Sequence, residues 1–122
     1  MSIIYHITTR RDWELAQRDG MYLVSTRGRT LAEEGFVHAS AADQVGLVAN
    51  TFYSDLDGLV VLVIDTARLR AEVRRERVPG SERLFPHVYG PVNADSIVEV
   101  LPLERAKDGR FAFPAEEKPK PT

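Results

Sequence analysis

The chain has 122 residues, of which 43% are hydrophobic and 28% are charged, and it contains no cysteine. This length fits one globular domain and is too short for a catalytic barrel or a Rossmann pair. The lack of cysteine excludes disulfides, thiolate zinc sites, iron–sulfur clusters and cysteine nucleophiles, and a net charge of −2 gives no overall attraction for nucleic acid. The scarce chemical groups are three histidines, His6, His38 and His87.

We expect no targeting or membrane segment. No apolar run reaches roughly 18 residues, and the N-terminus lacks a basic region ahead of a hydrophobic one. The protein is therefore expected to be soluble and cytoplasmic, with no membrane partner. An arginine cluster within residues 68–77 could hold phosphates, but the glutamates between the arginines favour a solvated, paired surface.

The first third of the chain predicts a strand, a helix and a loop. Residues 3–8 alternate in side-chain character, which predicts a half-buried strand with His6 near its middle. A Thr9 cap and a Gly20 stop bound a short helix. The polar stretch 26–35 is typical of an exposed loop.

A second strand-to-helix unit follows. An extended segment at residues 36–40 would place His38 and Ser40 on one face. Ser40 with Asp43 also resembles a capping box, so this strand would lead directly into a helix. The helix is expected to bury an apolar stripe formed by Val45, Val48, Ala49 and Phe52.

The second half of the chain predicts mainly strands. The continuous apolar run at 59–64 predicts a central strand buried on both faces. Charges in 73–78 favour an edge strand, and two prolines in 84–91 favour a loop or an irregular edge strand. Residues 97–103 predict another strand, and Phe111 and Phe113 a last short one.

Together these elements predict a single compact α+β domain over residues 1–113. The early helices and the later strand-to-strand connections indicate a mostly antiparallel sheet with helices packed on it. The tail at 114–122 is rich in proline, lysine and glutamate and is expected to be disordered.

The residues that could carry chemistry show no local catalytic or metal motif. The three histidines lie in separate extended segments without the spacing of a metal site. No nucleophile-elbow sequence surrounds Ser40, and no glycine-rich phosphate loop is present. The histidines either share one polar site or are structural residues whose ring nitrogens are satisfied within the protein.

Four blocks of the chain resemble a small bacterial family called domain of unknown function 952. The blocks are Ile4-Tyr5-His6-Ile7-Thr8, Gly35-Phe36-Val37-His38-Ala39-Ser40, Asn50-Thr51-Phe52-Tyr53 and Phe85-Pro86-His87-Val88-Tyr89-Gly90-Pro91. The resemblance covers residues 3–104. That family resembles the ADP-ribosyltransferase-like fold, in which the cleft of a split β-sheet holds NAD, so the resemblance implies this fold and ligand.

Within that fold, RNA 2′-phosphotransferases carry a Tyr-His-Gly-Thr block and a Val-His-Leu-Ser block. The stretches Tyr5-His6-Ile7-Thr8 and Val37-His38-Ala39-Ser40 are similar to them. The resemblance implies that His6 hydrogen-bonds a ribose hydroxyl of the dinucleotide and that His38 and Ser40 line the same cleft.

Many transferases of this fold also place a glutamate on a late strand, where it stabilises positive charge in the transition state. This chain offers His87 and Tyr89 there instead, which argues against ordinary protein ADP-ribosylation. Tyr53 either stacks on the nicotinamide ring or packs at the end of its helix. The candidate phosphate ligands are Arg27, Arg29 and Arg83.

The resulting hypothesis is a nucleotide-binding cleft for NAD or ADP-ribose with ADP-ribosyl or 2′-phosphate transfer activity. The candidate catalytic residues are His6, His38 and His87, and the candidate cofactor-binding residues are Thr8, Ser40, Tyr53 and Tyr89. We expect no metal and no obligatory cofactor, and the net charge does not support a nucleic-acid partner. The alternative is a non-catalytic binding or interaction domain in which the histidines only complete the core.

Overall fold

Two three-stranded sheets form the framework of the computed structural model, which describes residues 2–113. In chain order the elements are β1 (Ile3–Thr9), α1 (Arg10–Asp19), β2 (Met21–Tyr22), β3 (Val24–Thr26), β4 (Arg29–Thr30), α2 (Leu31–Glu34), β5 (Val37–His38), α3 (Val45–Phe52), β6 (Leu59–Asp65), β7 (Glu72–Arg77), β8 (Leu84–Tyr89), β9 (Val92–Asn93) and β10 (Ile97–Pro102). The predicted tail at 114–122 lies outside the described residues.

The first sheet has β6 at its centre, between β1 and β10, and both pairings are antiparallel. Every residue of β6 is buried. Val60, Leu62 and Ile64 face one apolar core, whereas Leu59 and Val61 face a second core on the opposite side. The prediction of a central strand is confirmed, because an apolar run without alternation suits a strand covered on both faces.

The second sheet has β8 at its centre, between β5 and β7, again with antiparallel pairing. The edge position predicted for the charged strand is confirmed by β7. The prediction of a loop or edge strand for residues 84–91 is wrong. Pro86 is tolerated at the centre because β5 has ended opposite it, and the proline carbonyl still accepts the Ala39 N–H at 3.0 Å.

The two sheets are joined through one backbone pair. Just beyond β5, the Ser40 N–H donates to the Tyr5 carbonyl at 2.7 Å, and the Tyr5 N–H donates to the Ser40 carbonyl at 2.9 Å. The end of the short strand β5 is therefore fixed against the middle of β1.

The first helix begins and ends as the sequence predicts. The Thr9 side chain accepts the Asp12 N–H, and Gly20 terminates the helix with a φ of 82°, a left-handed conformation that glycine adopts without steric cost. Helix α1 packs Ala16 into the same core as β6.

The start and the buried stripe of α3 differ from the prediction. Instead of a Ser40–Asp43 capping box, the Gln44 side chain accepts the Ala41 N–H at 2.8 Å, and a 3₁₀ turn precedes the helix. Phe52 is 62% exposed, so it does not belong to the buried stripe. The helix reaches the core chiefly through Val45 and Ala49.

Two further segments also depart from the expectation. The stretch predicted as a loop contains β4 and α2, because Thr30 and Glu33 form a reciprocal capping box that starts a one-turn helix. Phe111 and Phe113 are buried in the second core, but within the described chain Phe111 makes only an isolated bridge with Arg105 and no strand.

The predicted α+β class with mostly antiparallel sheets is confirmed. Within residues 2–113, no helix is long and apolar enough to cross a membrane.

Candidate functional site

A cavity of about 420 Å³ lies beside Ser40, where the chain passes from the second sheet to the first. The structure brings four of the predicted site residues to its wall, namely His6, His38, Ser40 and Tyr53. The rest of the wall is mainly apolar and includes Ile7, Val48, Phe52, Val78, Pro79 and Phe85. A largely apolar cavity of this size with a few polar groups is typical of a small-molecule site.

His6 is buried, and both of its ring nitrogens have partners within the protein. Nδ1 is hydrogen-bonded to the His38 carbonyl, and because a carbonyl can only accept, Nδ1 carries the proton. Nε2 lies 2.7 Å from the Tyr22 hydroxyl oxygen. Burial lowers the pKa of His6 from 6.5 to about 4, so the ring is neutral at pH 7.

Thr8 lies on the other side of this hydrogen-bonded group. The Tyr22 hydroxyl contacts both His6 Nε2 and Thr8 Oγ1 at 2.7 Å, and its single proton serves one of these contacts. Thr8 and Tyr22 line a smaller cavity of about 80 Å³. It shares four lining residues with the larger one, namely Ile7, Thr26, Arg27 and Tyr53. Thr8 is thus adjacent to the main cavity rather than part of its wall.

His38 and Ser40 present the polar groups that remain available in the cavity. The His38 side chain is 37% exposed, and its Nε2 lies 3.7 Å from a Glu34 carboxylate oxygen. Burial and the proximity of His87 lower the pKa of His38, so its ring is also mostly neutral at pH 7. The Ser40 hydroxyl has no hydrogen bond to any of residues 2–113, since this residue pairs only through its backbone.

Tyr53 both packs in the second core and lines the cavity. Its hydroxyl accepts the Arg27 N–H at 3.2 Å. The Arg27 guanidinium donates to both carboxylate oxygens of Asp55 at 2.6 and 2.8 Å, which lowers the pKa of Asp55 to about 2. Arg27 therefore contributes to the cavity wall while already paired with a carboxylate.

The other two candidate phosphate ligands lie elsewhere. Among the residues described, neither Arg29 nor Arg83 lines either cavity. Arg29 is paired with Glu34 at 2.7 Å, and Arg83 with Asp43 at 3.0 Å.

His87 and Tyr89 do not line the cavity but meet at a carboxylate. Glu76 on β7 accepts hydrogen bonds from Tyr89 Oη at 2.6 Å and from His87 Nδ1 at 2.7 Å. Both hydrogen bonds lower the pKa of Glu76, and the bond from Tyr89 has the larger effect. Glu76 is the functional candidate that the sequence reasoning missed, although the alternating pattern of an edge strand places Glu72, Arg74 and Glu76 on one face.

The three histidines form two neighbouring groups rather than one metal-like cluster. The His38 and His87 rings lie 5.2 Å apart, whereas His6 reaches His38 only through the backbone carbonyl. Across residues 2–113, no group of three or more histidine, aspartate or glutamate side chains has an arrangement that could hold a metal ion.

Comparison with known proteins identifies a family and a fold. The sequence profile described as "Protein of unknown function (DUF952)" matches residues 7–100. The crystal structure of CC0527 from Caulobacter crescentus is similar with a TM-score of 0.80 and 25% identity, covering 94% of this chain and 97% of that one. The solution NMR structure of CC0527 has a TM-score of 0.76 and 27% identity, over 95% and 97% of the two chains. No curated protein matches the chain.

Proposed function

This chain belongs to the family of proteins of unknown function called DUF952, and we propose that it binds a nucleotide of the NAD or ADP-ribose class in an ADP-ribosyltransferase-like cleft. The observation that carries the proposal is the cavity of about 420 Å³ between β1, which carries His6, and the end of β5, which carries His38. Its apolar wall and small number of polar groups are the features that ligand pockets share.

The side chains in the cavity wall suit the parts of a nucleotide. Phe52, Tyr53 and Phe85 supply aromatic surface for a planar ring. The Ser40 hydroxyl and the neutral imidazole of His38 can hydrogen-bond ribose hydroxyls. Arg27 can contact a phosphate, although its guanidinium also donates hydrogen bonds to Asp55.

If the cleft is catalytic, its reaction is ADP-ribosyl or 2′-phosphate transfer, with His38 in the cavity wall and His87 beside it. His6 would then act by holding the backbone of His38, because both of its ring nitrogens are already occupied.

The same observation on His6 favours a second candidate, a binding module without turnover. A histidine whose two nitrogens are held by a carbonyl and a buried hydroxyl is poorly placed to exchange protons with a ligand. This candidate predicts ligand binding with no product formed during long incubation.

Isothermal titration of the full chain with NAD, ADP-ribose and a 2′-phosphorylated nucleotide tests the proposal. We expect heat of binding with at least one ligand, and an affinity about five- to tenfold weaker in Ser40→Ala, because one ligand hydrogen bond is lost. Ser54→Ala, at an exposed position that does not line the cavity, is the matched control and should bind as the wild type does. No heat with any of the three at millimolar concentration would refute nucleotide binding.

A further inference from the structure

One buried polar atom of His87 has no hydrogen-bond partner among residues 2–113. His87 is 2% exposed, and its Nε2 is the buried side-chain nitrogen or oxygen of residues 2–113 that makes no hydrogen bond. Buried polar atoms are nearly always hydrogen-bonded, and an exception calls for a functional or solvent partner.

The carboxylate of Glu76 determines which ring nitrogen of His87 is unprotonated. Its pKa is lowered by hydrogen bonds from Tyr89 and His87, so it is ionised at neutral pH and can only accept. His87 Nδ1, 2.7 Å from Glu76 Oε1, must therefore carry the ring proton. In the neutral ring, Nε2 then holds a free lone pair, as in the carboxylate–imidazole pairs that serve as general bases.

The ring of His87 lies beside the cavity wall, because its centroid is 5.2 Å from that of the wall residue His38. His87 is paired with His38 across β5 and β8, so the two side chains are on the same face of the sheet. Phe85, two residues earlier in β8, shares that face as well. Both of these neighbours line the cavity, and the Phe36 ring stacks on His87 at 4.1 Å between centroids.

We propose that His87 Nε2 is the hydrogen-bond acceptor for a hydroxyl group of the ligand in this cavity and that Glu76 is its positioning residue. The inference rests on the proposed nucleotide binding, because a ribose supplies the hydroxyl. The hydroxyl O–H donates a hydrogen bond to Nε2, while the Nδ1 proton stays on the hydrogen bond to Glu76. No bond of the ligand is broken in this step.

Nitrogen-15 NMR of the three histidine rings in the ligand-free full chain tests the tautomer directly. We expect His87 as a single tautomer with Nδ1 protonated and Nε2 bare. Glu76→Gln should give a mixture of tautomers, since an amide can donate or accept. Glu72→Gln is the matched control on the same strand and face, where the glutamate contacts Arg74 instead, and should leave the spectrum unchanged. A protonated Nε2 in the neutral wild-type ring would overturn the inference by itself.

Titration of the same labelled protein with ADP-ribose tests the ligand contact. We expect the His87 Nε2 resonance to move on binding. His87→Asn keeps a donor toward Glu76 but has no acceptor at the position of Nε2, so it should bind about tenfold more weakly. If ADP-ribose shifts the resonances of Ser40 and Tyr53 but leaves Nε2 unmoved, the inference is wrong and nucleotide binding stands. If none of the three nucleotides binds by calorimetry, both fail together.

Discussion

Acidification should destabilise this protein well above the pH at which carboxylates titrate, because of His6. In the folded chain the pKa of His6 is lowered from 6.5 to about 4 by burial, whereas the unfolded chain restores the ordinary value. Between these values the unfolded state binds more protons than the folded state. The stabilisation is therefore fully present above pH 6.5 and is lost as the pH falls toward 4.

The size of the effect follows from the two pKa values. Proton linkage for a single group with a pKa of about 4 folded and 6.5 unfolded gives a loss of about 2 kcal/mol between pH 7.5 and 5. His38 adds to this loss in the same direction, because its pKa is also lowered. The carboxylates with lowered pKa values act mainly at more acidic pH; they are Glu33, Asp55, Glu76 and Asp95.

Urea unfolding at pH 7.5 and pH 5 measures the effect. Trp13 is the single tryptophan and packs against the core that His6 faces, so its fluorescence reports the transition. The comparison variant is His6→Asn, which does not titrate and whose amide can still donate toward the His38 carbonyl. His38→Asn is the matched control at the half-exposed histidine.

Between pH 7.5 and pH 5, the free energy of unfolding should fall by about 2 kcal/mol more in the wild type than in His6→Asn. His38→Asn should keep most of the wild-type pH dependence. The lost Tyr22 contact makes His6→Asn less stable at both pH values and so cancels in the difference. If the wild type and His6→Asn lose the same free energy within about 0.5 kcal/mol, the assignment of His6 as a buried neutral base is refuted.

Three substitutions test other parts of the structure. Tyr22→Phe removes a hydroxyl that contacts two buried side chains, so we expect a loss of about 2–4 kcal/mol and a fall in Tm of roughly 8–16 °C by calorimetry. Arg105→Lys should cost about 2 kcal/mol in urea unfolding, because its guanidinium donates to four oxygen atoms and a single ammonium cannot reach them all. Gly90→Ala should cost about 2 kcal/mol, since φ is 155° and a new Cβ would lie 2.9 Å from Ala71 Cβ.

Each of these substitutions has a control and a result that contradicts it. Tyr53→Phe serves as a control for Tyr22→Phe, since the Tyr53 hydroxyl makes two longer and only partly buried contacts, at 3.2 and 3.3 Å. Equal losses in the two variants would contradict the argument that the Tyr22 hydroxyl is held in a buried network. Arg110→Lys should leave the free energy of unfolding nearly unchanged. A loss equal to that of Arg105→Lys would argue against the role given to the four hydrogen bonds of the Arg105 guanidinium. Wild-type stability in Gly90→Ala would mean that the backbone there tolerates a side chain.

Several elements could be predicted from the sequence because their causes are local. The Thr9 cap and the Gly20 stop of α1 depend on residues within one helix, and the apolar run of β6 directly indicates burial on both faces. The family could also be recognised from short blocks of adjacent residues, and its profile matches residues 7–100.

Other elements were not predicted, either because neighbouring strands decide them or because two local signals in the sequence compete. Pro86 looked incompatible with a central strand, and only the early end of β5 makes it acceptable there. The capping box of Thr30 and Glu33 was present in the sequence, but the surrounding polar residues suggested a loop.

The sequence by itself determined that three histidines stand in separate extended segments without a local metal or nucleophile motif. It could not determine their roles, since each role depends on a partner distant in the chain. Sheet pairing puts His38 opposite His87, brings Glu76 to Nδ1 of His87, and encloses His6 between a strand carbonyl and Tyr22. Strand order and register fix these contacts, and they depend on the packing of the whole core rather than on any short stretch of residues.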